Sequence, residues 1–290
     1  MNLASAYAVN NHQDAVRFRS SVHSYNPKSR MSRELRRALG FESCHHLQEP
    51  LRILDAMCGP GKVGQLITSE ALLHEVPTNL FFNDARAAAL ELATPDSEKR
   101  IPGNVCSVRD LYAGFFDLSV VRFGLKDIPD LAKLQAVESL HASLVPGGRL
   151  VVADLYAPAS IRSDVNTIHR TKQRFSGRNE SIEGELFIPT RGQWTQLLLR
   201  AGFARVSTEY FGRTVVKISD WIDQFGTDPV VALSKVRLIE QMIIAMSALD
   251  KKFNSVMRIK TSEPLNPDDG ILSFESPIVI LVAHKSPGVI

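Results

Sequence analysis

Asp55, Gly59, Gly61 and Gly64 fall within ten residues of one another in the stretch LRILDAMCGPGKVGQLI, which begins at Leu51. An acid that ends an apolar run and is followed at once by glycines is a device for laying a ligand against the main chain. Glycine permits backbone angles and a closeness of approach that a β-carbon blocks. Two further acids, Asp84 in NLFFNDAR and Asp110 in NVCSVRDLY, follow later apolar runs. Carboxylates of this kind accept hydrogen bonds from hydroxyl, amine and ammonium groups, so they position a ligand and leave the bond chemistry to it.

Three reagents suit a glycine loop of this form: a nucleoside triphosphate, a dinucleotide and S-adenosylmethionine. A triphosphate loop needs a glycine five places before its Gly-Lys pair and a Ser or Thr after it. Gly61-Lys62 has Ala56 and Val63 at those places, so that reading fails. Gly59, Gly61 and Gly64 do spell G-x-G-x-x-G, and Asp84 lies about twenty residues on, where an acid would take a ribose. Against a dinucleotide stands Asp55, which would face a pyrophosphate with a like charge, at a cost on the order of a few kcal/mol. The sulfonium and ammonium of S-adenosylmethionine are cationic, and the same acid would attract them.

The stretch DAMCGPG, Asp55 to Gly61, resembles the first motif of the class I S-adenosylmethionine-dependent methyltransferases, acid-x-Gly-x-Gly-x-Gly, with Met57 in place of the first glycine. The departure narrows the loop near the methionine end of the cofactor. NLFFNDAR, NVCSVRDLY, FFDLSVVRFGLKDI and LVPGGRLVVADLY resemble the family's following strands in the right order, over roughly residues 50 to 156. FIPTRGQWTQLLLRAGFARVSTEYF and SFESPIVILVAHK resemble the last helix and closing antiparallel strands of its small-molecule branch. The resemblance implies S-adenosyl-L-methionine as cofactor, held by Asp55, Met57, Gly59 and Gly61, by Asp84 and Ala85 at the ribose, by Asp110 and Leu111 at the adenine, and by Arg122.

These residues need a scaffold that brings strand ends together. Short apolar runs, each followed by an amphipathic segment, indicate βαβ units and a parallel sheet. Strands are expected near 51 to 55, 79 to 83, 104 to 108, 116 to 121 and 148 to 154, which would place Asp55, Asp84, Asp110 and the loop from Arg122 to Asp127 on one edge. The expected fold is α/β: a doubly wound, seven-stranded, mostly parallel sheet with an antiparallel last strand, an N-terminal helical extension and a helical cap insertion. Residues 1–47 read as an N-terminal helical lid, in which SRMSRELRRALGF repeats apolar residues at helical spacing before a Gly40 stop. Residues 48–290 form the main domain. It carries a polar insertion at about 157–188, read as a long loop of the functional or mobile kind, and a helical cap at about 212–273.

At 290 residues and 44% hydrophobic content, the chain can bury one large core with a modest cap. A net charge of +3, with basic residues spread among acids, leaves no footprint for nucleic acid. No stretch reaches the roughly 18 apolar residues of a membrane span, and the first residues lack a signal-like run. Cys44, Cys58 and Cys106 imply no disulfide framework. These features point to a cytoplasmic monomer or homodimer with a small-molecule partner, no nucleic acid, no membrane and no metal. Cys44, His45 and His46 lack a second cluster to complete a tetrahedral set, Cys58 reads as packing, and the Asn179 triplet has no use in the cytosol.

If the acceptor atom needs a base, His169 and Tyr156 lie in the region expected to overhang the cofactor, against a solvated loop histidine as the plain reading of His169. Arg122 is a candidate for a substrate carboxylate, against an ion pair with the cap. Tyr7, Phe18 and Tyr25 are candidates for closing over a cation, against plain packing, and Met242 and Met246 read first as cap core, against the lining of an apolar substrate pocket. The leading function is methyl transfer to a small biosynthetic intermediate by direct displacement. Other uses of the same cofactor remain open, such as an intramolecular cyclisation that releases methylthioadenosine, as do a NAD(P)-dependent oxidoreductase and a non-catalytic binder.

Overall fold

Apolar runs too short for a helix become strands buried on both faces. In the computed structural model, which describes residues 29–44, 49–177, 187–226, 228–261 and 272–288, the strands are β1 (Leu51–Ala56), β2 (Thr78–Asp84), β3 (Arg100–Pro102), β4 (Phe116–Arg122), β5 (Leu144–Leu155), β6 (Arg205–Lys217), β7 (Lys260–Thr261) and β8 (Leu272–His284). They form one sheet in the order β3-β2-β1-β4-β5-β8-β6, with the two-residue β7 paired to β8 off that path. Pairing is parallel from β3 through β5. The last strand, β8, is antiparallel to both β5 and β6. The expected seven-strand path with an antiparallel last strand is therefore present, and β7 is the addition.

Successive strand residues point to opposite faces, and the core divides accordingly. Leu54, Val121 and Val152 pack with Ala136, Val137 and Leu140 of α5 (Asp130–Ser143) and with Trp194 and Leu198 of α7 (Arg191–Arg200). Their neighbours Ile53, Val120 and Val151 pack on the other face with Leu35 and Leu39 of α1 (Arg30–Leu39) and Leu66 and Ile67 of α2 (Lys62–Leu73). The remaining helices are α3 (Ala87–Ala93), α4 (Val108–Tyr112), α6 (Arg162–Phe175), α8 (Pro229–Leu249) and α9 (Lys251–Met257). No helix among the described residues is long and apolar enough to cross a membrane.

Three expectations are corrected. The third strand is not at 104 to 108: Asn104 caps a turn, its Oδ1 accepting from Cys106 N at 3.0 Å, and the chain then enters α4, whereas the strand lies earlier at Arg100–Pro102. The expected loop at 157–188 is a helix over Arg162–Phe175, whose buried face mixes Val165 and Ile168 with the polar Asn166, His169 and Gln173. The cap does not begin at 212, because β6 continues to Lys217; its helices are α8 and α9, separated by Asp250, which caps the second through Lys252 N. Their apolar faces meet α6 and the first residues of β8 in a third core containing Ile168, Ile239, Phe253 and Phe274, against which Met242 and Met246 pack.

Of the segment expected to be an N-terminal lid, the described helix α1 covers a sheet face and not the strand ends. Ser29 caps it, accepting from Ser32 N at 3.1 Å, and Gly40 closes it at φ 65°. Arg149 of β5 donates to the Leu39 carbonyl, fastening the helix to the sheet. Tyr7, Phe18 and Tyr25 lie outside the described residues. Leu35 is fully buried, so Leu35→Ala is expected to lower the unfolding free energy of the whole protein by about 2–5 kcal/mol. Denaturant melts would show this as a shifted midpoint of the main transition; a small separate transition would mean that α1 is an appendage.

Candidate active site

The strand order reverses direction at β1 and β4, which pair in parallel with Asp55 opposite Val120 and Ala56 opposite Val121. Chains leaving the carboxyl ends of such strands diverge to opposite faces and leave a crevice between them. Both exits are strained. Met57 follows β1 at φ 54°, and Phe123 follows β4 at φ 55°, a region where a side chain costs about 1–3 kcal/mol. Their loops touch across the crevice: a β-carbon on Gly124 would lie 2.8 Å from Met57 Sδ and 2.9 Å from Met57 Cβ. Met57 thus occupies the place of the missing motif glycine in a glycine-like conformation, with its side chain against Gly124.

The glycines that follow differ in what they do. Gly59, at φ 54°, has open space where its β-carbon would be, so a ligand can rest on its backbone. Gly61, at φ 75°, precedes α2, and a β-carbon there would approach Ala93 Cα to 2.8 Å. Gly64 faces the Phe82 ring so closely that a side chain would collide with it. The loop is held by Cys58 N, which donates to Asn83 O at 2.8 Å, and by Gly59 N, which donates to Asp84 Oδ2 at 2.9 Å. Burial pushes the Cys58 thiol up, away from the reactive thiolate, in keeping with a packing role.

Asp55 is 1% exposed, and its Oδ2 accepts from Gly64 N at 2.8 Å. Burial raises its pKa to about 7; the Gly64 amide draws it down, Asp84 adds to the rise and Arg122 opposes it. Arg122 ends β4 with its guanidinium 4.6 Å over the Phe123 ring. Asp84, at the end of β2, is bound by its own neighbour: Arg86 Nε donates to Oδ1 at 2.8 Å and Arg86 Nη2 to Oδ2 at 3.1 Å. Arg86 N adds a bond to Oδ1 at 3.1 Å. Ala85, between them, is exposed.

The loop after β4 carries a polar knot. Lys126 Nζ donates to Asp127 Oδ2 at 2.6 Å and to Phe123 O at 2.8 Å. Gln173 of α6 donates to Asp127 Oδ1 at 2.7 Å, and His169 Nε2 lies 3.0 Å from Lys126 O. Lys126 N donates to Asp154 Oδ2 at 3.2 Å; burial raises the pKa of Asp154 to about 6, against the nearby Lys126 charge. His169 was expected to overhang the crevice as a base. The structure instead buries it as a pin between α6 and the β4 loop, and burial lowers its pKa to about 3, so it is neutral at physiological pH.

Two other expected roles also change. Tyr156 is buried against Phe211, with ring centroids 5.2 Å apart, and its amide donates to Pro277 O at 3.2 Å, which places it in the β5–β6 packing and not over the crevice. Asp110 is on α4, largely exposed and 3.6 Å from Arg109 Nε, and Leu111 beside it is 70% exposed. Neither leaves the end of a strand; Gly103 and Asn104 follow β3. Sequence reasoning missed Asn83, whose Nδ2 donates to Ile101 O at 2.9 Å and Gly103 O at 3.0 Å and so positions that strand end. A buried amide between Phe82 and Asp84 was the available signal. Arg86 and Gly124 were also missed. Among the described residues no group of three His, Cys, Asp or Glu could hold a metal ion.

Because its pKa rises from 3.8 to about 7 on folding, Asp55 keeps a proton in the folded chain that the unfolded chain has released. Its contribution to stability therefore falls as pH rises between those values and stays low above them. Asp55→Asn keeps an acceptor for Gly64 N and removes the charge. Thermal melts from pH 5 to 8 are expected to show that the variant has lost this component of the pH slope and matches or exceeds the wild type at pH 8; an unchanged slope would assign the proton elsewhere. Separately, Gly124→Ala is expected to cost about 1–3 kcal/mol by crowding the Met57 Cβ, which cannot rotate away. Adding Met57→Gly should recover at least half, a coupling measurable by a double-mutant cycle.

No family model matches the chain, and no curated protein matches it. Among solved structures, YcgJ from Bacillus subtilis aligns with a TM-score of 0.64 at 15% identity, over 88% of this chain and 99% of its own. A protein from Bacillus halodurans with a provisional methyltransferase assignment aligns at 0.62 and 14%, over 86% and 98%. The [4+2]-cyclase SpnF aligns at 0.50 and 14%, over 87% and 82%. The strand order, the loop at the end of β1 and these likenesses together give the chain the fold of the class I S-adenosylmethionine-dependent methyltransferases.

Proposed function

We propose that the protein is an S-adenosylmethionine-dependent methyltransferase acting on a small molecule. The observation that carries the reading is the loop from Met57 to Gly61, strained open at the strand-order reversal, with free space over Gly59 and the carboxylates of Asp55 and Asp84 at its base. The space over Gly59 is one that a β-carbon would enter, so the loop fits a flat ligand laid on the backbone. The cofactor supplies a methyl carbon already bonded to a sulfonium leaving group, so the chain has to bind, orient and exclude water.

Asp84 is the acceptor for the ribose hydroxyls, and Asp55 is the acid that favours a cationic ligand. A cation approaching Asp55 lowers its pKa and displaces its proton, so binding is expected to strengthen as pH rises toward 8. Arg122 is suited to an anionic group of the cofactor or the acceptor. His169 and Gln173 act through the β4 loop, holding it against α6. The cap built from α8 and α9 favours a small, enclosed acceptor, and the free cysteines fit a cytoplasmic location.

A second use of the cofactor is tested by the same experiment, because SpnF, whose fold this chain shares, is named for a cyclisation. Purified protein is incubated with S-adenosylmethionine and no acceptor, and small-molecule products are read by mass spectrometry. The expected result is intact cofactor retained by the protein, with S-adenosylhomocysteine forming only when an acceptor is supplied. Methylthioadenosine above the enzyme-free control would replace methyl transfer with intramolecular displacement, and binding of NAD(P) without S-adenosylmethionine would move the chain to the oxidoreductases.

A further inference from the structure

The carboxylate at the end of β2 is already full. An ionised carboxylate offers about four acceptor positions, and Asp84 has four donors on it: Gly59 N at 2.9 Å, Arg86 N at 3.1 Å, Arg86 Nε at 2.8 Å and Arg86 Nη2 at 3.1 Å. Its side chain is 5% exposed, which leaves little room for a fifth donor. The two main-chain donors belong to the loop after β1 and to the start of α3, and both are built into the fold. The two side-chain donors form a guanidinium fork, the geometry that matches a carboxylate most closely.

The fork also imitates a ligand. A vicinal diol presents two donors side by side to a carboxylate, as Nε and Nη2 of Arg86 do. We propose that Arg86 is a gate on nucleoside recognition: its guanidinium occupies the two positions on Asp84 that a ribose diol would take, and a diol reaches Asp84 only as that side chain turns away. The inference rests on the reading of Asp84 as the ribose acceptor.

The local structure suits such an exchange. Arg86 is the residue before the first turn of α3, where its carbonyl accepts from Ala89 N at 3.1 Å and Leu90 N at 3.4 Å, so its backbone is fixed by the helix. It makes no side-chain cap to that helix. Its side chain is 27% exposed, so the guanidinium already lies at the surface, with water on one side of it. Gly59 N and Arg86 N stay on Asp84 throughout, and the loop over which the ligand lies keeps its anchor. Arg86 is thereby a specificity-determining residue: a ligand without two adjacent hydroxyls has nothing to offer Asp84 in exchange.

The test is calorimetric titration of wild type, Arg86→Met and Arg86→Gln with S-adenosylhomocysteine, adenosine and 2′,3′-dideoxyadenosine, with circular dichroism as the control for folding. Both variants are expected to bind S-adenosylhomocysteine and adenosine at least tenfold more tightly than the wild type, with no gain for the dideoxy compound. Arg86→Lys keeps the charge without the fork and serves if the neutral variants do not fold; an intermediate gain is expected. Equal or weaker binding by folded variants would overturn the gate while leaving the cofactor reading in place. An equal gain for dideoxyadenosine would also overturn it, because Arg86 would then obstruct the crevice in general. Absence of S-adenosylhomocysteine binding by every form would overturn both.

Discussion

The bond between Asp55 and the Gly64 amide is the constraint on which the crevice depends. It joins the end of the central strand to the first turn of α2, and so sets the path that Met57 through Gly61 must follow. Gly64 cannot carry a side chain because the Phe82 ring of β2 lies against it, and Gly61 cannot because Ala93 of α3 does. Three elements are therefore drawn to one point. The left-handed turns at Met57, Gly59 and Gly61 are what remains for the chain between two fixed ends. The anchor is costly in itself, since a buried carboxylate with one backbone donor is poorly compensated.

The central sheet was readable from the sequence because parallel strands buried on both faces appear as short apolar runs, and β1, β2, β4 and β5 lie where those runs are. β3 was misplaced because an edge strand of three residues, ending in Pro102, needs no apolar run, while the more apolar NVCSV stretch forms a turn. α6 reads as a loop in the sequence because the residues it buries include Asn166, His169 and Gln173, and polarity on the inner face erases the helical period. In the crevice, Asp55 and the glycines were legible because they are local in sequence. Pairings such as Met57 with Gly124, or His169 with Lys126, are set by tertiary approach and leave no local mark. Arg86 was hidden differently: it lies two residues from Asp84, and only side-chain geometry shows that it turns back onto that acid.

Two kinds of attachment join the cap to the sheet. One is polar and short-range: α6 brings His169 and Gln173 to Lys126 and Asp127, so the cap core and the loop after β4 share a hydrogen-bonded knot. The other is the main chain of β8, whose early residues Leu272 and Phe274 belong to the cap core while Ile278 onward belongs to the sheet. Glu240 of α8, 1% exposed, accepts from Leu272 N at 3.1 Å and stitches these together.

β5 pairs with β8 only from Ile278 to His284, whereas β6 follows β8 from Ser273 onward. The part of β8 before Ile278 therefore leaves the sheet as a ribbon with β6 and the short β7, rooted at one end like a cantilever. Two-stranded ribbons twist more than strands within a wide sheet, so the angle at which the cap leaves the sheet is written into the coiling of this beam. A residue added to or removed from either strand of this ribbon would turn the cap about the beam axis and pull on the knot that α6 makes with Lys126 and Asp127. Strand register far from β1 and β2 is thus coupled to the loop after β4 through the cap and not through the sheet.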